Sequence, residues 1–240
     1  MPDLKILAFD VFGTVVDWFG SVAREASAPP LGLSVGQARE FALAWRDGYQ
    51  PAMQRVRSGE LGWTRIDDLH RLILDDILPR FGLEGLSDSE RGHLNAVWHR
   101  LDPWPDARSG LAALRQRFRV CTLSNGNLSL LADLARHGQL QWDLILSAEV
   151  FRHYKPDPQT YLGVADVFGV SPAEVMLVAA HKDDLRAAAA CGLHTAYIER
   201  PFEFGPDGVR LGRKDLSRSP DINLHARDFL DLASQLECTP

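Results

Sequence analysis

Cysteine is scarce in this chain. Only Cys121, Cys191 and Cys238 occur in 240 residues. They are odd in number, far apart and without metal-ligand spacing, so neither a disulfide framework nor a thiolate metal centre is expected; free thiols in a reducing cytoplasm are. No apolar run approaches the roughly 20 residues needed to span a bilayer. The opening residues lack the basic and apolar regions of a secretory leader, so a cytoplasmic protein is expected, with no membrane partner. There is no basic run, and the formal net charge is -6. That charge argues against a nucleic-acid partner. Internal repeats are absent too. What remains is a chain 45% hydrophobic, long enough for one large domain or for a core with a sizeable insertion.

Short apolar runs alternate with helical patterns. The β-runs are residues 6–9, 119–123, 144–147, 175–180 and 194–198. Helices are predicted at 109–117, 128–137, 158–168 and 184–191, with Gly192 as a helix stop. This alternation with short links predicts an α/β fold, a doubly wound parallel sheet with helices on both faces. A last strand at 222–225 and a closing helix at 228–236 follow a long Gly-, Pro- and charge-rich loop at 200–220.

Residues 17–99 break the pattern. They hold no β-run, and segments 39–57, 64–78 and 87–100 carry apolar spacing near 3.6. A helical block inserted after the first strand predicts a cap over the sheet edge. The expected division is a core of residues 1–16 and 100–240 and a helical cap of residues 17–99. Pro103-Trp104-Pro105 reads as the hinge on the return path.

Four polar groups fall at the carboxyl ends of successive predicted strands, where open parallel sheets collect ligand-binding groups. They are Asp10 with Thr14, Ser124 with Asn125, Lys155 with Tyr161, and His181 with Asp183 and Asp184. Each alone has a bland reading: a helix cap, a turn, a surface corner, or acids suited to a helix start. All four in order are hard to explain as structure alone. A carboxylate at the tip of the first strand is placed to act as a nucleophile.

With these residues in view, the chain resembles the haloacid dehalogenase superfamily. The four groups match its four motifs: Asp10-x-x-Gly13-Thr14, the Ser124 hydroxyl, Lys155 in Tyr154-Lys155-Pro156-Asp157, and the acidic end group at Asp184. The likeness spans nearly the whole chain, and the branch it resembles is the L-2-haloacid dehalogenases. Phosphatases of the superfamily carry an aspartate two residues after the nucleophile, to protonate a poor leaving group. Phe12 stands there and donates no proton. They also place a metal-ligating aspartate four residues before the last motif aspartate. Ala180 stands there, which weakens magnesium binding. The resemblance therefore implies a hydrolase that needs no metal or other cofactor.

The implied reaction begins with attack of Asp10 on the carbon bearing the halogen of a short 2-haloacid. Water, oriented by Asp184, then hydrolyses the resulting ester. Lys155 would keep Asp10 ionised, with Thr14 and Tyr161 fixing positions. The substrate carboxylate would rest on Ser124 and on backbone N–H groups near Val11 and Phe12. The halide would meet Asn125 and a cap arginine. Arg46 is the choice for that arginine, with Arg39, Arg55 and Arg57 as rivals nearby. The resemblance further implies preference for the L-enantiomer and a homodimer formed through the cap.

Three positions depart from the branch pattern. His181 stands where Asn is common, adding a group that titrates near neutral pH. Ala179 replaces a serine. Asp183 replaces an aromatic residue and is expected to turn outward. Two other readings remain at this point: a related hydrolase acting on another carbon electrophile or a phosphorylated metabolite, and a domain that binds a small carboxylate without turnover.

Overall fold

The computed structural model describes residues 3–238. In chain order its elements are β1 (Ile6–Phe9), β2 (Val16–Asp17), α1 (Trp18–Ser27), α2 (Val35–Asp47), α3 (Tyr49–Arg57), α4 (Ile66–Ile77), α5 (Asp88–Asn95), β3 (Asp102–Pro103), α6 (Ala107–Leu114) and β4 (Arg119–Ser124). There follow α7 (Leu128–Gly138), β5 (Leu144–Ser147), α8 (Ala148–Phe151), α9 (Pro158–Phe168), β6 (Val175–Ala179), α10 (Lys182–Ala190), β7 (His194–Ile198), β8 (Leu224–Ala226) and α11 (Phe229–Gln235).

Six strands form one parallel sheet in the order β5-β4-β1-β6-β7-β8. The chain thus winds outward from β1 in both directions, and the crevice at a topological switch point opens at the β1 carboxyl end. Period-2 alternation divides the sheet between two cores. Leu7, Phe9, Val120, Met176 and Val178 join the core under α6, α7 and α11. Ile6, Ala8, Cys121, Leu123 and Leu177 join the one under α9 and α10, built on Tyr161, Val164 and Leu185. Near-continuous apolar strands are what burial on both faces demands.

The segment between β2 and β3 is all helical among the described residues. Helix α4 buries Ile66, Leu69, His70, Ile73, Leu74 and Ile77, the i, i+3, i+4, i+7 stripe of an amphipathic helix. Asp17 caps α1, and capping boxes of Ser34 with Gln37 and Ser87 with Glu90 start α2 and α5. These helices share one core with the sheet face that carries Phe9.

Several boundaries differ from the sequence expectation. The single helix expected over 39–57 is two, broken at Gly48. Pro51 removes an N–H and so belongs in a first turn. A Cβ on Gly48 would lie 2.4 Å from Ile73 Cγ2, so the corner needs glycine to approach α4. The helix expected over 87–100 tightens into a 3₁₀ turn at Ala96–His99. Helix α10 begins at Lys182 and the last strand at Leu224, each two residues from expectation. The expected hinge is a ribbon: Val16 pairs with Pro103 and Asp17 with Asp102. Segment 200–220 is irregular as expected, yet it buries Arg200, Glu203 and Lys214.

Candidate active site

Beyond Phe9 the chain leaves the sheet in a tight turn. Val15 and Val16 N–H groups donate to the Val11 carbonyl, and Gly13 takes φ +82°, a conformation glycine adopts freely. The turn aims Asp10 into a cavity of about 510 Å³. The core side of that cavity is Asp10, Phe12, Asn125, Lys155, Pro156, His181, Asp183 and Asp184; the helical side is Arg46, Tyr49, Gln50 and Arg57. The corner between α2 and α3 therefore roofs the crevice at the tip of β1.

Asp10 is surrounded by donors. Lys155 Nζ reaches Oδ1 at 2.8 Å. The Thr14 hydroxyl donates to Oδ2 at 2.7 Å, and His181 Nδ1 lies 3.1 Å from the same oxygen. Thr14 is itself oriented, because the Ala180 N–H donates to its Oγ1 at 2.9 Å. Burial alone would push the Asp10 carboxyl up, but the Lys155 charge and His181 outweigh it and hold it well below the carboxylate range. Lys155 is buried as well, yet Asp10 and Asp184 keep it charged by raising its pKa above the ordinary lysine value. Its second partner is Asp184 Oδ2 at 2.6 Å, while the Tyr161 hydroxyl donates to Asp184 Oδ1 at 2.6 Å. Three residues expected from the sequence, Thr14, Lys155 and His181, thus contact Asp10, and two more, Asp184 and Tyr161, join it through Lys155.

The other expected residues divide. Phe12 walls the cavity and meets Tyr49, His70 and Trp98 edge to face. Val11 is buried, its side chain part of the core. Among the described residues the Val11 and Phe12 N–H groups have no acceptor in the protein, leaving two donors beside Asp10. Asn125 Oδ1 accepts from the Lys155 N–H at 2.8 Å, which ties the second and third motifs together. Ser124 is buried beside the cavity rather than in its wall, and its Oγ accepts from the Gly126 N–H. Arg46 lines the cavity with its guanidinium 4.4 Å from the Tyr49 ring centre and 5.8 Å from that of Trp18. Its rivals are engaged or outside: Arg57 pairs with Asp157, Arg55 with Glu60, and Arg39 is exposed. Asp183 is almost fully exposed, beside Arg186 at 3.0 Å, in the first turn of α10 where a carboxylate suits the dipole.

Glu203 and Lys214 were not expected. Glu203 is wholly buried; its Oε1 lies 2.7 Å from His181 Nε2, and its Oε2 accepts from Lys214 Nζ at 2.5 Å. Burial pushes this carboxyl up, but His181 and Lys214 bring it down to about 2. For His181, burial favours the neutral ring, while Glu203 and Asp10 raise it to about 9. From the sequence alone, a carboxylate in a Gly- and Pro-rich loop reads as solvated. Among the described residues no group of three or more His, Cys, Asp or Glu side chains is arranged to hold a metal ion.

A parallel α/β sheet with a buried, ion-paired carboxylate at its central strand tip and a helical roof defines a class of hydrolase. The chain belongs to the haloacid dehalogenase-like hydrolases, whose family model matches residues 4–192. It is 32% identical to (S)-2-haloacid dehalogenase 1 of Pseudomonas sp. (strain CBS-3), over 93% of this chain and 98% of that one. Among solved structures, the L-2-haloacid dehalogenase PA0810 superposes with a TM-score of 0.89 at 44% identity, covering 97% of this chain and 99% of that one. The defluorinating L-2-haloacid dehalogenase Rha0230 superposes with a TM-score of 0.86 at 41% identity, covering 98% of this chain and 95% of that one.

Proposed function

We propose that this protein hydrolyses short 2-haloalkanoic acids to 2-hydroxy acids through an ester on Asp10, without a metal ion. One observation carries the reading: Asp10 is held ionised between Lys155 and His181, facing a cavity that offers Arg46 and no proton donor at position 12. A halide leaves without protonation, whereas an alcohol leaving from phosphate needs an acid. Phe12 and Ala180 supply neither that acid nor a metal ligand, which disfavours the phosphatase reading.

In the first half-reaction Asp10 attacks C2 of the haloacid. The C–O bond forms as the carbon–halogen bond breaks, and the halide carries away the electron pair. The free N–H groups of Val11 and Phe12 and the Ser124 turn suit the substrate carboxylate. Arg46 and Asn125 suit the departing halide. In the second half, water adds to Asp10 Cγ, with Asp184 orienting it; Tyr161 and Lys155 hold Asp184 in place. Helices α1–α5 act as the cap that excludes bulk water. The L-enantiomer is the expected substrate, the cytoplasm the expected compartment, and a homodimer through the cap the expected assembly.

Halide release from chloroacetate and L-2-chloropropionate, with and without EDTA, tests this. Release indifferent to EDTA is expected. Magnesium-dependent phosphate release from phosphoesters, with no halide release, would sink the reading. Saturable carboxylate binding with neither activity would favour a binding domain. In heavy-oxygen water, a single turnover should give unlabelled product, since the entering oxygen comes from Asp10.

A further inference from the structure

Six charged groups alternate in sign across the site: Lys214, Glu203, His181, Asp10, Lys155 and Asp184. His181 occupies the middle, between two carboxylates. A carboxylate ion accepts hydrogen bonds and donates none. A neutral imidazole has one donor, so either tautomer would turn a lone pair toward one carboxylate. Only the imidazolium satisfies both contacts.

The two oxygens of Asp10 are not equivalent. Oδ2 accepts from Thr14 and His181, while among the described residues Oδ1 accepts from Lys155 alone. The less encumbered oxygen, Oδ1, keeps a free lone pair and is the one that attacks. Oδ2 then becomes the carbonyl oxygen of the ester, with two donors already aimed at it. We infer that Glu203 is a positioning residue that holds His181 as a cationic donor, so that His181 and Thr14 form the oxyanion site for the hydrolytic half-reaction at Asp10.

This inference rests on the ester reading above and adds a role for each residue. Water adds to Cγ, its proton passes to Asp184, and the carbonyl electron pair moves onto Oδ2. The Oδ2 anion is met by the Thr14 hydroxyl and the His181 Nδ1–H. On collapse the pair re-forms Cγ=Oδ2 and the Cγ–Oδ1 bond breaks. The product alkoxide carries away Oδ1 and takes the proton from Asp184. The new carboxyl releases the second water proton to solvent. A donor fixed in place before charge develops needs no reorganisation, which is the source of its effect. The charged groups around His181 are Asp10 just after β1, Glu203 on the 200–220 segment with Lys214 behind it, Lys155 before α9 and Asp184 on α10, with Asp183 at the exposed rim and Arg46 across the cavity. Lys214 also donates to the Ala180 carbonyl at 2.6 Å, which anchors the Glu203 segment to the β6 end. The ring's rise to about 9 agrees with the geometry.

Two measurements test the inference separately from the substrate reading. The first is the titration of His181 by nitrogen-labelled NMR in the resting enzyme, which needs no turnover. The inference expects both ring nitrogens protonated at pH 7.5, with deprotonation near pH 9 and at least about one unit lower in Glu203→Gln. A neutral ring at pH 7.5 would overturn it, whether or not haloacids are hydrolysed. The second is rapid quench with L-2-chloropropionate. Glu203→Gln should keep a halide burst of about one per site while ester hydrolysis slows by roughly 10- to 100-fold, so that the Asp10 ester accumulates and is seen by mass. Equal slowing of both halves, or no change in either, would refute the role. Should Glu203→Gln misfold because Lys214 is left unpaired, Glu203→Gln with Lys214→Gln removes both charges. His181→Asn retains a neutral donor; it should slow hydrolysis and abolish the alkaline limb of kcat near pH 9. Persistence of that limb counts against the inference.

Discussion

Lys155 Nζ lies 2.8 Å from Asp10 Oδ1, joining residues 145 positions apart in a buried ion pair. The same ammonium bridges to Asp184 at 2.6 Å, so one cation balances two carboxylates. Removing it strands both. Lys155→Met should lower kcat by at least about 10³-fold and destabilise the fold by about 3–5 kcal/mol, the cost of unpaired buried charge. The sign of the pH effect follows from Asp10, whose pKa is depressed in the folded state: its stabilising contribution is present above about pH 4 and lost only in strong acid. In Lys155→Met that loss should begin at higher pH, measurable as an acid limb of thermal stability displaced upward. An unchanged acid limb would mean that Lys155 does not set the ionisation of Asp10.

Arg46 faces the cavity from α2 while stacked on Tyr49 and near Trp18. Arg46→Lys keeps the charge and loses the planar stack and fork. With about 1 kcal/mol in such a stack and the lost geometry added, kcat/KM for chloroacetate should fall about tenfold. Arg57→Ala removes a partly exposed pair with Asp157 and should change stability by less than about 1 kcal/mol. If steady-state kinetics show Arg57→Ala the more damaged of the two, the assignment of the anion to Arg46 is wrong.

Much of this site was legible because each motif is local. Asp10, Gly13 and Thr14 sit within one turn, and strand ends mark themselves by the change from apolar to polar residues. Helix α9 spans the expected residues because Pro158 starts it and Gly169, at φ +65°, stops it. Glu203, Lys214 and Arg200 were not legible. Arg200 makes a bidentate pair with Asp106 at 2.8 Å for each contact, and its Nε donates to the Thr14 carbonyl at 2.9 Å. These bonds link the 200–220 segment to the turn after β1, a separation of 186 residues for Thr14. Charge in a turn-rich segment reads as solvated unless its distant partner is known. The helix break at Gly48 had a signal in Pro51, but 3.6-residue periodicity runs on through both helices.

Gly13 couples the nucleophile turn to the Glu203 segment. Its φ is +82°, and a Cβ there would fall 2.3 Å from Glu203 Oε1. Gly13→Ala should therefore cost about 2–3 kcal/mol, combining the left-handed backbone penalty with displacement of a buried carboxylate. Calorimetry should show Tm lowered by roughly 5–10 °C. If the Glu203 contact matters beyond stability, the alkaline limb of kcat should also move to lower pH. A variant as stable as the parent would show that the turn relaxes without disturbing Glu203.

Two histidines, His70 buried and His181 half-buried, tilt the pH dependence of stability in opposite directions. His70 lies against Trp98, ring centres 4.1 Å apart, and neither ring nitrogen has a hydrogen-bond partner among the described residues. Burial lowers its pKa to about 3, so below about pH 6.5 the unfolded chain binds the proton more readily and stability falls with acid. His181 is raised to about 9. Its contribution is full below about pH 6.5 and is lost as pH rises through 9, and His99, raised by Asp67 and Asp133, adds to that limb. Thermal stability should thus peak near pH 6–7. Between pH 5.5 and 6.5 the slope belongs to His70, because the carboxylates of both the folded and the unfolded chain stay ionised there. His70→Phe should flatten that limb and raise Tm at pH 5, since an unpartnered polar ring is replaced by an apolar one of similar shape. His181→Asn should flatten the alkaline limb and leave the acid limb untouched. A series of calorimetric scans from pH 5.5 to 9.5 on the three proteins decides the matter: a slope between pH 5.5 and 6.5 no shallower in His70→Phe, or an alkaline limb no shallower in His181→Asn, where His99 alone should leave a residual slope, removes the corresponding histidine from the account.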